Sequence, residues 1–334
     1  MSLPEVSARV DATIDRFELF ELDGARALAI VLKQRFAWDA KGGVHRVAGA
    51  VIHPVDVPFP DAQSTMFPGD VLLRKPAVDV VVSGTARADR PVPALDVRVE
   101  VGPLAKSLRV FGPRVWYHPA LGAMRPSDPA SFDQLPLIWE HAYGGMDVSD
   151  PEKLAHEPRN PLGRGVAAHP EALEGQPLPQ IEDPRDPIQT SRSRPAPAGI
   201  GALSPSFQPR LGYAGTFDQR WQDERMPLFP EDFDPRFHQV AHPELVGTLR
   251  GGEPVRLLNL GQPGPAQFEL PRLVFSVDAR ADGGQTTSLR PELDTVLILP
   301  DEQALELTYR TTLPLRSGPR AIRELLVFEK RVLR

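Results

Sequence analysis

The chain has 334 residues, 41% hydrophobic and 25% charged, with a formal charge of −6 and no cysteine. That composition belongs to a folded chain of one large or two ordinary domains, and it excludes disulfides, thiolate catalysis and cysteine-ligated metal. Both charge signs are mixed without a basic stripe, which argues against nucleic acid as a partner, and no apolar run reaches the ~20 residues of a membrane-spanning helix.

The N-terminal run MSLPEVSARVDATIDRFELF has no basic segment leading into an apolar core, so no secretory signal is expected and the protein is expected in the cytoplasm. Leu28, Ile30, Leu32, Phe36 and Trp38 then alternate with Lys33 and Arg35, a strand pattern ended by a turn at Asp39–Gly43. Val78, Val80 and Val82 repeat the alternation. Leu95, Val97, Val99 and Val101 face away from Asp96, Arg98 and Glu100, as in a sheet wet on one side, and Leu108–Phe111 is expected to return as a strand.

The middle of the chain changes character. Of 38 prolines, 17 fall between Pro113 and Pro209, where they disfavour long helices and central strands. Two short helices are expected, over Phe132–Tyr143 and Phe237–Leu245. The first would place Trp139 and Tyr143 on one face and stop at Gly144 and Gly145. Asn160-Pro161-Leu162-Gly163 reads as a tight turn.

Strand patterns resume with Leu273, Phe275 and Val277, a turn at Asp282–Gly284, and Thr295–Leu299 paired with Leu305–Thr311 as an antiparallel hairpin across Asp301-Glu302. The expected architecture is mainly β: antiparallel, sandwich-like sheets from the N- and C-terminal thirds, a proline-rich and largely irregular central segment, and few short helices. The zones are 1–115, 116–245 and 246–334, packed as one or two units.

Sites of chemistry are sparse. His238 and His242 have helical i, i+4 spacing, and Asp232 and Asp234 lie upstream, but a zinc site needs a fuller ligand set. Glu140 and His141 are adjacent and would diverge on a helix, and His118 is placed in a turn before Pro119. Glu231, Asp232 and Asp234 offer paired carboxylates for a glycosidase, or more simply a helix start with Asp234 as cap and Pro235 in the first turn. The pairs Gly42-Gly43, Gly251-Gly252 and Gly283-Gly284 lack a phosphate-loop frame and read as hairpin turns. No catalytic residue, metal ligand or cofactor-binding residue is assigned, and no cofactor is implied.

The aromatic residues of the middle zone stand out: Trp116, Tyr117, Trp139, Tyr143, Phe207, Tyr213, Phe217, Trp221, Phe229 and Phe233, interleaved with arginines including Arg210. Ring and arginine together are the composition of binding hot spots, with more than half of the rings expected in the core and a minority exposed. The partner-binding candidates are Trp116, Trp139, Glu140, Tyr143, Gly144, Gly145, Asn160, Pro161, Gly163, Arg210, Trp221 and Asp232.

Several blocks carry a resemblance: Leu135–Gly145 (LPLIWEHAYGG), Asn160–Gly163 (NPLG), Pro209–Asp218 (PRLGYAGTFD), Trp221 and Phe229–Asp234 (FPEDFD), with Asp79–Gly84, Ala94–Arg98, Leu293–Ile298 and Tyr309–Pro314 outside the centre. In this order they resemble a bacterial family of unknown domain function encoded beside type VI secretion genes. The resemblance implies a cytosolic adaptor or chaperone that helps load an effector onto the secretion spike and its tip protein. It implies no catalytic residues. The alternatives are a metal-dependent or carbohydrate-active enzyme centred on residues 231–242, and a structural component of the secretion machine. Residues 166–200, rich in Pro, Ser and Arg, are expected to form a cargo-specific or mobile loop.

Overall fold

The first and last thirds of the chain are woven into the same sheet. A computed structural model describes residues 3–315 and 322–330. Its largest sheet has seven strands. From one edge they run Val246–Gly247, Val78–Val82, Glu292–Leu299, Ala304–Pro314, Arg26–Trp38 and Thr13–Phe20, and Val44–Val47 also pairs with Arg26–Trp38. The hairpin expected across Asp301-Glu302 is present, and its second strand pairs with Arg26–Trp38 from Ala304↔Ala37 to Pro314↔Ala27. Val78–Val82 joins the C-terminal hairpin in parallel, so the sheet is mixed.

Alternation in these strands does not mark a solvent face. Leu28, Ile30 and Leu32 are fully buried, each contributing about 1.5–3 kcal/mol by leaving water. Polar residues of these strands are buried as well. Asp79, Thr295, Thr308 and Lys33 lie side by side across four neighbouring strands. Buried charge of this kind survives only when paired. Lys33 meets Asp70 at 2.6 Å, Lys75 meets Asp79 at 2.7 Å and Arg310 meets Asp294 at 2.6 Å. Asp70 and Lys75 belong to the loop before Val78, which closes over this face of the sheet.

Two smaller sheets complete the layers. One is antiparallel and runs Ile181–Glu182, Leu104–Phe111, Ala94–Val101, Pro254–Leu258, Pro265–Glu269. In it Val97, Val99 and Val101 are buried while Asp96 and Arg98 are exposed, as their alternation requires. The other runs Glu5–Arg9, Ile322–Glu329, Phe275–Ala281, Thr286–Leu289. One continuous hydrophobic cluster reaches from Leu28 to Val327, and a satellite gathers Trp116, Met124, Tyr143, Leu173, Leu178 and Ile188.

The centre differs from expectation in its helices. Phe132–Tyr143 is not a helix: Phe132–Pro136 is a strand paired with Thr85–Val92, and only Trp139–His141 makes a single 3-10 turn. Pro136 is the physical reason, since it removes a backbone donor inside the apolar periodicity. Trp139 and Tyr143 therefore share no face, the first entering the main core and the second the satellite. Gly144 and Gly145 end no helix. Phe237–Leu245 is likewise split into the 3-10 turns Pro235–His238 and Pro243–Leu245, with Pro243 restarting the chain. Among the described residues the one α-helix is Gln219–Glu224, which no apolar period announced. Gly251-Gly252 is a crossover between sheets rather than a hairpin turn.

Residues 166–200 form a packed segment. Ile181 and Ile200 are buried in the main core, and Glu182 makes a buried ion pair with Arg114. Proline here fixes an irregular path whose side chains still fill the interior.

Candidate functional site

The most distinctive sequence block builds a crossing of two chain segments. Asn160 is fully buried, and its Nδ2 donates to the carbonyls of Trp139 at 2.8 Å and Tyr143 at 3.0 Å. Its own carbonyl accepts from Gly145 N at 2.8 Å and from Gly163 N at 3.2 Å, the latter closing the turn through Pro161. Tyr143-Gly144 then pairs in parallel with Arg164-Gly165. The backbones approach so closely that a Cβ on Gly144 would lie 2.1 Å from the Asn160 carbonyl oxygen. Gly144 and Gly145 also hold φ of 153° and 99°, which favour glycine.

The neighbouring candidates serve the same crossing. Trp139 is 3% exposed, donates its ring N–H to the Ala202 carbonyl at 2.9 Å and meets Phe207 edge-on at 5.7 Å. The Glu140 carboxylate accepts from Gln63 N at 2.6 Å and from the backbone and hydroxyl of Ser64. Burial opposes its ionisation, but these donors outweigh burial and hold its carboxyl below the ordinary value. Trp116 and Tyr143 fill the satellite core. These residues engage the protein's own chain.

A second constellation reaches solvent. Phe229 stacks on Phe233 at 4.1 Å, Phe233 meets Phe237 at 5.8 Å, and Arg210 lies 5.2 Å from the Phe237 ring centre. Arg210 is buried and donates to the carbonyls of Leu203 and Phe237, both at 2.7 Å, with the Asp56 carboxylate 3.8 Å away. Burial pulls its guanidinium below the ordinary value, against the field of Asp56. Beside this ladder lies a groove of about 570 Å³, lined among others by Val55, Asp56, Pro205, Phe229, Phe237 and His238.

The helix Gln219–Glu224 extends the ladder. Asp218 caps it by accepting from Trp221 N at 2.8 Å. Trp221 donates its ring N–H to the Leu228 carbonyl at 2.8 Å and packs edge-on against Phe217 at 4.7 Å. Asp232 fixes the returning chain by accepting from Thr216 N at 2.9 Å and Thr216 Oγ1 at 2.7 Å. Held this way, Leu211, Phe217, Met226 and Phe229 stand 38–60% exposed along one stretch of chain.

The acidic and histidine residues of 231–242 separate. Asp234 caps the turn at Pro235, accepting from Arg236 N at 2.8 Å, as the cap reading required. His238 joins the aromatic ladder, whereas His242 Nδ1 accepts from Glu244 N at 3.2 Å beside Lys106. Both imidazoles are pulled down to about 4, chiefly by burial. Among the described residues no group of three or more His, Asp or Glu is placed to hold a metal ion, and no helix is long and apolar enough to cross a membrane.

The structure thus places Trp221 and Asp232 beside the exposed rings, buries Arg210 against Phe237, and gathers Trp139, Glu140, Tyr143, Gly144, Gly145, Asn160, Pro161 and Gly163 at the crossing, with Trp116 in the satellite core. Val55, Asp56 and Phe237 were missed as site residues. The spacing of Phe229, Phe233 and Phe237 at every fourth position was the available signal for the last.

Fold and surface together define a mainly β protein that presents a partly exposed aromatic ladder beside a groove. Residues 23–310 match the family described as "Uncharacterized protein conserved in bacteria (DUF2169)", and the chain belongs to that family. Comparison with curated proteins and with solved structures gave no match.

Proposed function

We propose that the protein is a non-enzymatic adaptor or chaperone that holds an apolar segment of a type VI secretion effector and helps load it onto the spike and its tip protein in the cytosol. The observation that carries this reading is the exposure of Leu211, Phe217, Met226 and Phe229 on one stretch of chain, continuous with the Val55–Phe237 groove. Large apolar side chains held in the open by caps and buried hydrogen bonds are a feature of protein-binding surfaces. The block resemblance to proteins encoded beside type VI secretion genes supplies the class of partner.

The test is affinity capture of the full chain co-expressed with the effector encoded beside it. The effector should be recovered with the wild-type chain. Recovery should fall at least about tenfold for Phe217→Asp or Met226→Asp, a charged group at the rim of an apolar contact costing about 1.4 kcal/mol or more. Recovery of neither effector nor spike component by the wild type overturns the reading.

A further inference from the structure

At one end of the seven-stranded sheet, where Val78–Val82 and Glu292–Leu299 begin and Ala304–Pro314 ends, lies a cleft of about 840 Å³. Six cationic and two anionic side chains line it, in a chain whose net charge is −6. Three of the cations are already engaged. Lys75 and Arg310 are buried against Asp79 and Asp294, and Arg74 reaches Glu21.

The other three, Arg250, Arg272 and Arg290, are exposed, and among the described residues their guanidinium groups have no hydrogen-bond or carboxylate partner. Segments 1–2, 316–321 and 331–334 contain no Asp or Glu that could neutralise them. Each arginine comes from a different connection between strands. Gly251 packs so tightly on Arg272 that a Cβ there would lie 2.8 Å from the Arg272 Cα, which sets Arg250 and Arg272 close together. Among the described residues Glu292 is the one carboxylate of the lining without a hydrogen-bond or ion-pair partner.

We propose that this cleft docks an acidic segment of a partner protein, with its carboxylates held by Arg250, Arg272 and Arg290. Guanidinium groups match carboxylates bidentately. Charge spread over three connections suits an extended chain advancing about 3.3 Å per residue better than one compact anion. Single-stranded nucleic acid is bound on exposed ring platforms, whereas the one aromatic residue of this lining, Tyr309, is 3% exposed. The buried ion pairs of Lys75 and Arg310 give the cleft a fixed floor. The inference stands apart from the adaptor reading, because it concerns other residues and is measured on the isolated chain.

The experiment follows fluorescein-labelled decaglutamate by anisotropy with the full chain. The triple variant R250Q/R272Q/R290Q should bind at least about tenfold more weakly, and E292Q should bind about two- to threefold more tightly. Among the described residues the three guanidinium groups hold no hydrogen bond or ion pair, so the melting curve of the triple variant should match wild type. Should it not, the single variants, each expected to weaken binding about two- to threefold, carry the test. Absence of decaglutamate binding by wild type, unchanged affinity in all the arginine variants, or tighter binding of a ten-residue oligothymidylate or of inorganic tripolyphosphate at matched salt each overturns the proposal.

Discussion

The Lys75 ammonium lies 2.7 Å from the Asp79 carboxylate, and both side chains are almost wholly withdrawn from solvent. Asp79 also accepts from Gln239 Nε2 at 2.7 Å and from the backbone N–H groups of Val240 and Ala241, so one carboxylate ties the Lys75 loop and the 239–241 loop to a central strand. Removing Asp79 would strand several buried donors and one buried cation. Asp79→Ala should therefore destabilise by about 3–5 kcal/mol, whereas Lys75→Met, which leaves Asp79 three other donors, should cost less. Urea denaturation followed by tryptophan fluorescence measures both; equal losses would show that the ion pair alone matters.

At the crossing of segments 142–145 and 160–165, Gly144→Ala should be severe. The new methyl would meet the Asn160 carbonyl oxygen, which is itself fixed by two N–H donors. A loss of about 3 kcal/mol or more is expected, or failure to fold. Gly122→Ala is the control: its φ is also positive but the space around it is open, so only backbone strain of about 1–2 kcal/mol applies. Comparable unfolding midpoints for the two variants would refute the steric account.

Stability should depend on pH through His238 and His242. Burial pulls both down to about 4, helped by Lys75 at His238 and Lys106 at His242. The unfolded chain takes up these protons near pH 6.5. Between about pH 6.5 and 4 it binds protons that the folded chain refuses, so stability is full above about 6.5, falls as pH drops and levels off below about 4. The loss is on the order of 3 kcal/mol per histidine. Urea midpoints at several pH values give the profile, and His238→Phe should flatten it. An unchanged profile in that variant would remove His238 from the explanation.

Substitutions on the exposed ladder should separate binding from folding. Phe217 is 53% exposed and Met226 60%, so their replacement by Ser should change stability by no more than about 1 kcal/mol. Trp221→Ala should cost more, since its ring N–H holds the Leu228 carbonyl and its ring packs against Phe217. Thermal melts rank the three. A large loss for Phe217→Ser would mean that the ring is structural.

Much of the strand pattern was legible in the sequence. The alternation of Leu95–Val101 against Asp96–Glu100 gave a strand and its wet face, because side chains on a strand point to opposite sides in turn. The turns around Asp39–Gly43 and Asp282–Gly284 were equally local. The role of the Trp139–Gly145 block was not legible, because its geometry is fixed by Asn160, whose contacts arrive from 17 and 21 residues away. The helices expected around Trp139 and His238 failed because prolines interrupt them.

The sequence alone determined the mainly β character, the irregular proline-rich centre and the presence of aromatic residues in it, since these follow from alternation, composition and the missing proline donor. Only the tertiary structure decided that the two ends of the chain share one sheet, that Asp79 and Lys33 are interior, and which rings remain in the open. Those outcomes depend on contacts between residues far apart in the chain, and no local pattern encodes the partner of a buried charge.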